Sequence, residues 1–141
     1  MVFTFHLPVP DVETQPFWDA AAEGRLVYQH CSSCGHDYHY PRARCPRCWS
    51  DALEWRQSGG RGTVYTYSIV HENPMPPFRD RVPYAVGIVE LAEGPRMMTS
   101  FVDTALDQMH VGMEVEVVFE AEGVDENGEG GITVPRFRRI R

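Results

Sequence analysis

The chain has 141 residues, a net charge of −7 at pH 7 and 13 basic side chains, all of them arginine. This length fits one domain with a small appendage. The negative charge opposes binding to a phosphate backbone, and the absence of lysine excludes a lysine Schiff base. No apolar run reaches the ~20 residues of a membrane helix, and the N-terminus lacks a signal-peptide pattern. We therefore expect a cytoplasmic protein.

The first predicted unit, residues 1–24, is an extended arm followed by a short helix. Two early prolines oppose a helix in residues 1–11. In the following stretch, "ETQPFWDAAAEGRL", Thr14 is the candidate N-cap, Pro16 falls in the first turn and Gly24 is the stop signal. We expect the aromatic residues of this helix to pack against the core.

All four cysteines lie in one short stretch as two C-x-x-C pairs, Cys31 with Cys34 and Cys45 with Cys48. Two disulfides would suit a secreted mini-protein, but nothing here signals secretion. Each C-x-x-C turn lets two thiolates converge, and zinc prefers four such ligands in a tetrahedron. The sequence therefore predicts a zinc site. Because four protein ligands leave no position for water or substrate, we expect the zinc to be structural.

Charged side chains surround the cysteines. Arg42, Arg44 and Arg47 would offset the two net negative charges of a zinc ion with four thiolates. A basic finger that touches phosphate is the alternative, and the acidic balance of the chain opposes it. Three nearby histidines are expected to be surface or packing residues rather than ligands. They are His30, His36 and His39.

Strand patterns dominate the rest of the chain. Segments at 25–30 and 52–57 flank the cysteines and complete a ribbon at residues 25–58, which ends at the glycine-rich stretch "SGGRG". The third unit, residues 59–141, carries five short strands and no long helix, which predicts a small Greek-key barrel such as an OB-fold. The predicted strands are 62–70, 84–91, 96–103, 113–120 and 131–140.

A long irregular insert, residues 71–83, interrupts the barrel pattern. It holds four prolines, which lower the entropy lost when a loop becomes ordered. A structureless insert of this length in a compact barrel is typical of a binding loop. At the other end of the domain, residues 136–141 form a second basic patch, which we expect to balance the acidic loop at 123–131.

The order of several motifs resembles a known family. "PFWDAAAEGRL" precedes "CSSCG" and "PRARCPRC", and these are followed by "GRGTVYTYSIVH", "VPYAVGIVELAEGPRM" and "VGMEVEVVF". Together they span nearly the whole chain and resemble the acyl-CoA-associated zinc-ribbon plus OB-fold proteins, domain-of-unknown-function family thirty-five. The resemblance implies a mainly β protein: an N-terminal helix and rubredoxin-like zinc ribbon followed by a five-stranded OB-fold barrel.

The resemblance also implies a non-catalytic accessory role. Such proteins bind thiolase-fold enzymes and help to form the acyl-CoA site. The sharpest expectation is a subunit of the aldolase of steroid side-chain degradation, as a heterotetramer of two plus two with acyl-CoA at the shared site. An acyl-CoA thiolase is the alternative partner. No catalytic residue is expected in this chain, because all its cysteines are committed to zinc.

Residues of the proline loop are the candidates for contact with substrate or coenzyme A. Two arginines there would pair with phosphate, and two apolar side chains would line the path of the pantetheine arm or face the partner. The alternative is an ordinary solvated loop. The candidate contact residues are His71, Met75, Phe78, Arg79 and Arg81. Proton transfer by His71, Glu72 or Asp80 is the less favoured possibility.

Two other functions stay open at this point. A nucleic-acid-binding OB-fold would stack bases on Trp55, Tyr65 and Tyr67, against the acidic balance of the chain. An independent hydrolase of CoA esters would release free thiol without a partner.

Overall fold

The computed structural model describes residues 5–141. The first four residues, which belong to the predicted arm, lie outside the described part. The elements are one helix and eight strands, joined by loops that include short 3-10 turns at Phe78–Asp80 and Leu106–Gln108. In chain order they are α1 (Gln15–Ala22), β1 (Val27–Cys31), β2 (Asp37–Tyr38), β3 (Leu53–Gln57), β4 (Arg61–Val70), β5 (Tyr84–Leu91), β6 (Arg96–Phe101), β7 (Glu114–Glu122) and β8 (Ile132–Arg139).

The strands form two sheets. Strands β2, β1 and β3 make a three-stranded antiparallel sheet in that order, and β4–β5–β6–β8–β7 close into a barrel. The predicted fold class is confirmed: a mainly β chain with an N-terminal helix, a cysteine ribbon and a five-stranded OB-fold barrel. Within residues 5–141 no helix is long and apolar enough to cross a membrane.

The start of α1 differs from the prediction. Thr14 occupies the N-cap position but makes no side-chain bond into the helix. Its hydroxyl instead accepts a hydrogen bond from the backbone N–H of Asp11 (3.0 Å), and the Thr14 N–H donates to the Asp11 carboxylate (2.9 Å). This reciprocal pair has the geometry of a capping box placed one turn earlier. The predicted stop is correct, since Gly24 has the positive φ of +75° that ends many helices.

Alternation of side chains builds the barrel core. Every second residue of β5 is buried, as expected for a strand with one face inward. Val64, Val89, Leu91, Val115 and Phe137 fill the centre and are almost completely buried. The barrel closes between β6 and β8 through one parallel pair of residues, Phe101 with Phe137.

The ribbon and helix lie beside β6 and β8 of the barrel. The backbone N–H of Met98 in β6 donates to the Tyr40 hydroxyl of the ribbon over 2.9 Å. The ring of Phe17 in α1 meets the ring of His39 edge-on, with centroids 5.2 Å apart. On the opposite side, the Glu93 carboxylate accepts hydrogen bonds from Ser58 and from the backbone of residue 59. These contacts attach the ribbon to the barrel at two places. The unit boundaries at 24/25 and 58/59 stay predictions.

Candidate functional sites

The four cysteine sulfurs converge at one end of the ribbon. All four Sγ atoms lie within 4.8 Å of one another, with Cys31 and Cys48 3.5 Å apart and Cys34 and Cys45 3.7 Å apart. Zn–S bonds of ~2.3 Å in a tetrahedron place sulfurs about 3.8 Å apart, whereas a disulfide needs ~2.05 Å. The cysteines are free thiols with the spacing of a zinc tetrathiolate. The zinc is structural, because four protein ligands complete its coordination.

Backbone hydrogen bonds shape each C-x-x-C turn in the same way. In the first turn, the N–H of Gly35 donates to the carbonyl of Cys31 over 2.8 Å. In the second, the N–H of Trp49 donates to the carbonyl of Cys45 over 2.9 Å. The donating residue has a positive φ in both turns, +79° and +65°. The turns thus need a left-handed residue directly after the second cysteine.

The electrostatics of the thiols favour a bound cation. Hydrogen bonding from the backbone of Cys34 is the largest influence on Cys31 and holds the pKa of that thiol at about 6. A backbone hydrogen bond from Ser50 lowers the pKa of Cys48, but lost hydration and bonds to the other thiols outweigh it and raise the pKa to about 12. The four sulfurs therefore cannot all ionise unless a cation compensates their charge.

The ribbon histidines lie outside the cluster of sulfurs. His30 pairs with the Asp37 carboxylate at 2.6 Å, and His36 stacks on Tyr38 with centroids 5.4 Å apart. His39 is buried against α1, and its burial lowers the pKa of the ring to about 4. These positions agree with the expected packing roles.

A second site lies at the mouth of the barrel, under the proline loop. It is a cavity of about 560 Å³. Aromatic rings form one wall and a network of arginine and glutamate forms the other. The lining residues are Phe78, Arg81, Tyr84, Val86, Ser100, Phe101, Val102, Glu120, Ala121, Glu122 and Arg136.

Glu122 is the centre of the charged wall. It accepts two hydrogen bonds from Arg81, at 2.9 and 3.1 Å, and a third from Arg136. Arg136 also reaches Glu120 at 3.1 Å and Ser100 at 2.6 Å. Burial alone would raise the pKa of Glu122, but the hydrogen bond from Arg81 and the two guanidinium charges outweigh it and hold the pKa below its usual value. The wall is polar yet internally neutralised.

The predicted contact residues divide between cavity and solvent. Phe78 and Arg81 line the cavity. His71, Met75 and Arg79 are exposed and are not among its lining residues. The Arg81 donors already hold a carboxylate, whereas the Arg79 guanidinium forms no ion pair within residues 5–141.

The less favoured proton-transfer candidates lie on the surface of the proline loop. His71, Glu72 and Asp80 are all exposed, and their side chains make no hydrogen bond to another group of the described chain.

Sequence reasoning missed the cavity residues outside the loop. The predicted role of Arg136, to balance the acidic loop at 123–131, is wrong, because Arg136 and Arg138 pair with carboxylates of β7. Arg138, for example, reaches Glu116 at 3.1 Å. The alternation of side chains along β7 and β8 was the signal that could have found this pair. Val118 lies directly opposite Arg136 in the sheet, so Glu120, two residues further along β7, is a diagonal neighbour of Arg136.

The stacking surface of a nucleic-acid-binding OB-fold does not form. Trp55 and Tyr67 pack against the core, and the Tyr67 hydroxyl donates to the carbonyl of Met109 over 2.9 Å. Tyr65 remains 47% exposed, but Arg96 covers its ring at 3.9 Å. A row of free rings is what base stacking needs.

Comparison with known proteins assigns the ribbon and the barrel to one family. The family profile described as "ChsH2, rubredoxin-like zinc ribbon domain" matches residues 18–54, and the one described as "ChsH2, C-terminal OB-fold domain" matches residues 55–120. The chain belongs to the ChsH2 (DUF35) family. Its four-cysteine cluster is the zinc site of the family's ribbon domain, and its barrel is the family's OB-fold.

Relatives within this family carry different names. The chain is 41% identical to a "Probable enoyl-CoA hydratase alpha subunit" of Thermomonospora curvata over 86% of its own length, but spans only 36% of that protein. It is 37% identical to a "DUF35 domain-containing scaffold protein" of Methanocaldococcus jannaschii, over 76% of this chain and 74% of that one. The chain thus resembles about a third of the first relative and most of the second.

A solved structure matches nearly the whole chain. A chain of the structure described as "Ltp2-ChsH2(DUF35) aldolase" superposes with a TM-score of 0.79 and 33% sequence identity. The match covers 94% of this chain and 98% of that one.

Proposed function

We propose that this chain is a non-catalytic accessory subunit of a thiolase-fold aldolase, the retro-aldol lyase of steroid side-chain degradation. The observation that carries the proposal is the match to a chain of the Ltp2–ChsH2 aldolase over 94% and 98% of the two lengths. The complex is a heterotetramer of two plus two, assembled in the cytoplasm.

The side-chain contacts of the described residues favour an accessory role for this chain over a catalytic one. A retro-aldol step needs a base that removes the proton of the β-hydroxyl group. The Cα–Cβ bond then breaks as the new carbonyl forms, and its electron pair passes to the thioester enolate, which is then protonated. The thiols of this chain are held by zinc, and the carboxylates of the barrel mouth are held by arginines. The base and the enolate-stabilising groups therefore belong to the larger subunit.

The barrel mouth and proline loop form this chain's share of the CoA-ester site. The rings of Phe78, Tyr84 and Phe101 give the cavity an apolar wall for the pantetheine arm or the acyl group. Arg79, exposed on the loop above that cavity, binds a phosphate of coenzyme A. Met75, 51% exposed, and His71 lie on the same loop and face the shared site in the complex.

Co-purification tests the proposal. The tagged chain is co-expressed with a thiolase-fold protein of the same organism, and the mass of the eluted species gives the ratio of subunits. A two-plus-two complex supports the proposal, and failure of the two proteins to associate contradicts it.

Two alternatives are decided by the same preparation. The match to part of an enoyl-CoA hydratase alpha subunit favours a second partner, a hydratase domain or subunit. An acyl-CoA thiolase is the other. Substrate assays on the complex, with β-hydroxyacyl-CoA, enoyl-CoA and β-ketoacyl-CoA in turn, distinguish aldolase, hydratase and thiolase.

A further inference from the structure

The arm that precedes α1 is attached to the barrel by side chains alone. No backbone hydrogen bond joins residues 6–10 to the rest of the described chain. The arm is fixed at α1 by the reciprocal pair of Asp11 and Thr14. Leu7 and two prolines line one side of a cavity of about 410 Å³, and residues of α1 and of the start of β8 line the other. Backbone without hydrogen bonds belongs to the least stable parts of a fold.

His6 connects this arm to the proline loop. Its ring meets the ring of Phe78 edge-on, with centroids 5.5 Å apart. The Arg81 guanidinium lies over the same phenyl ring, 5.7 Å from the centroid. Phe78 and Arg81 both line the barrel-mouth cavity. His6 therefore contacts the loop through a residue that forms part of the cavity wall.

Leu7 gives the arm a second contact, at the end of β7. Gly123 has a φ of +72° and follows Glu122 directly in the chain. A Cβ atom at Gly123 would collide with the Leu7 side chain. The arm thus contacts both the proline loop and the strand end whose carboxylate holds that loop.

The nitrogens of the His6 ring are buried without a hydrogen-bond partner within residues 5–141. The side chain is 9% exposed, and Nε2 lies 3.7 Å from the Glu122 carboxylate, beyond hydrogen-bond range. That carboxylate already accepts three hydrogen bonds from arginines. A buried polar group without a hydrogen bond costs free energy, which is recovered when the group returns to water. Ring packing therefore favours the closed arm, while the ring nitrogens favour its release.

We propose that residues 6–10, the strap, hold the proline loop over the barrel-mouth cavity and release it readily, with the His6 ring as the contact. Release moves both ring nitrogens into water and removes one ring contact of Phe78. The strap thus sets how often the loop opens above the cavity. This inference requires neither a partner subunit nor the function proposed above.

Trypsin measures how often the loop opens. The chain has no lysine, so trypsin cuts it only after arginine, and Arg79 and Arg81 lie in the loop. When opening and closing are fast relative to cleavage, the cleavage rate follows the population of the open form. The zinc-loaded full chain is digested, and mass spectrometry compares cuts after these two residues with cuts after Arg61. Arg61 lies in β4 and is paired with β7, so a cut there requires the barrel itself to open.

Two substitutions of His6 should change the rate of loop cleavage in opposite directions. His6→Ala removes the ring contact with Phe78 and should raise the rate about 5-fold. His6→Phe keeps a ring but removes both unpartnered nitrogens, and should lower the rate by at least ~3-fold. Val9→Ala changes an 87% exposed side chain of the same strap and is the matched control, with an unchanged rate expected.

Each other outcome overturns the proposal. Equal loop cleavage in wild type and His6→Ala would show that the strap does not hold the loop. Faster cleavage in His6→Phe than in wild type would show that the nitrogens stabilise the closed arm rather than favour its release. A parallel rise at Arg61 in His6→Ala, with a lower melting temperature, would show that the ring supports the whole barrel rather than the loop.

Discussion

Arg81 of the proline loop reaches across the barrel mouth to Glu122 at the end of β7. Its guanidinium donates two hydrogen bonds to the Glu122 carboxylate, at 2.9 and 3.1 Å. The same carboxylate receives Arg136 from β8. One side chain thus fixes both the loop and the charged wall of the cavity. The loop that carries the predicted coenzyme A contacts is positioned by a residue 41 positions away in the chain.

Removal of the Glu122 carboxylate should destabilise the protein. Glu122→Ala leaves Arg136, whose side chain is 16% exposed, without its shared partner. We expect a loss of about 2 kcal/mol in the free energy of unfolding. The matched control is Arg56→Ala, which breaks the exposed pair with Glu54 and should cost less than about 1 kcal/mol. Urea unfolding measures both, and equal losses would show that the network contributes no more than a surface pair.

The same carboxylate should give stability a defined dependence on pH. The folded protein holds the pKa of Glu122 below the ordinary value of 4.5. Its contribution is therefore fully present above that value and is lost as the pH falls through the folded pKa. We expect the stability difference between wild type and Glu122→Gln to shrink as the pH falls from 5 towards 3. A difference that grows on acidification would contradict this assignment.

Loss of one sulfur should remove the metal. Cys31→Ser and Cys45→Ser each take a buried ligand from the cluster, and zinc binding contributes on the order of 10 kcal/mol to folding such ribbons. We expect less than half of the chains to retain zinc, with a strongly lowered melting temperature. Elemental analysis and thermal unfolding measure these effects. Ser32→Ala, in the same turn, is the control and should retain the metal. Wild-type protein with no tightly bound zinc or iron would contradict the ribbon.

Changes in the proline loop should weaken binding of the CoA ester and of the partner subunit without unfolding the barrel. Arg79→Ala should raise the KM of the complex for its CoA ester about 10-fold, as expected for loss of one charge-assisted bond to phosphate. Deletion of residues 74–80 should weaken complex formation or turnover while the barrel stays folded by circular dichroism. Arg61→Ala, an exposed arginine on β4 that forms no ion pair with any described residue, is the control for Arg79. Unchanged binding and kinetics in both loop variants would exclude a role for the loop.

Much of this architecture follows from local sequence. The strands β3 to β8 begin or end within two residues of their predicted bounds, because alternation and turn residues are local signals. The two C-x-x-C pairs predict the zinc site for the same reason, since each pair forms its own turn. Thr14 stands at the predicted N-cap position, but the competing partner Asp11 takes its side-chain hydrogen bond one turn earlier.

The barrel-mouth network could not be predicted in the same way. Glu122 meets Arg81 only after the proline loop folds over the barrel, and Glu120 meets Arg136 only in one register of β7 with β8. Strand register and loop placement are long-range properties. A sequence shows these side chains as separate surface charges.

The proposed function divides the work between this chain, which supports the site, and a larger enzyme, which breaks the bond. The most direct measurement is cleavage of a steroid side-chain β-hydroxyacyl-CoA ester by this chain alone, by the thiolase-fold subunit alone and by the purified complex. We expect full activity of the complex, little or none of the larger subunit alone, and none of this chain alone. Carbon–carbon bond cleavage by the isolated chain would contradict the central claim, and so would full activity of the larger subunit without it.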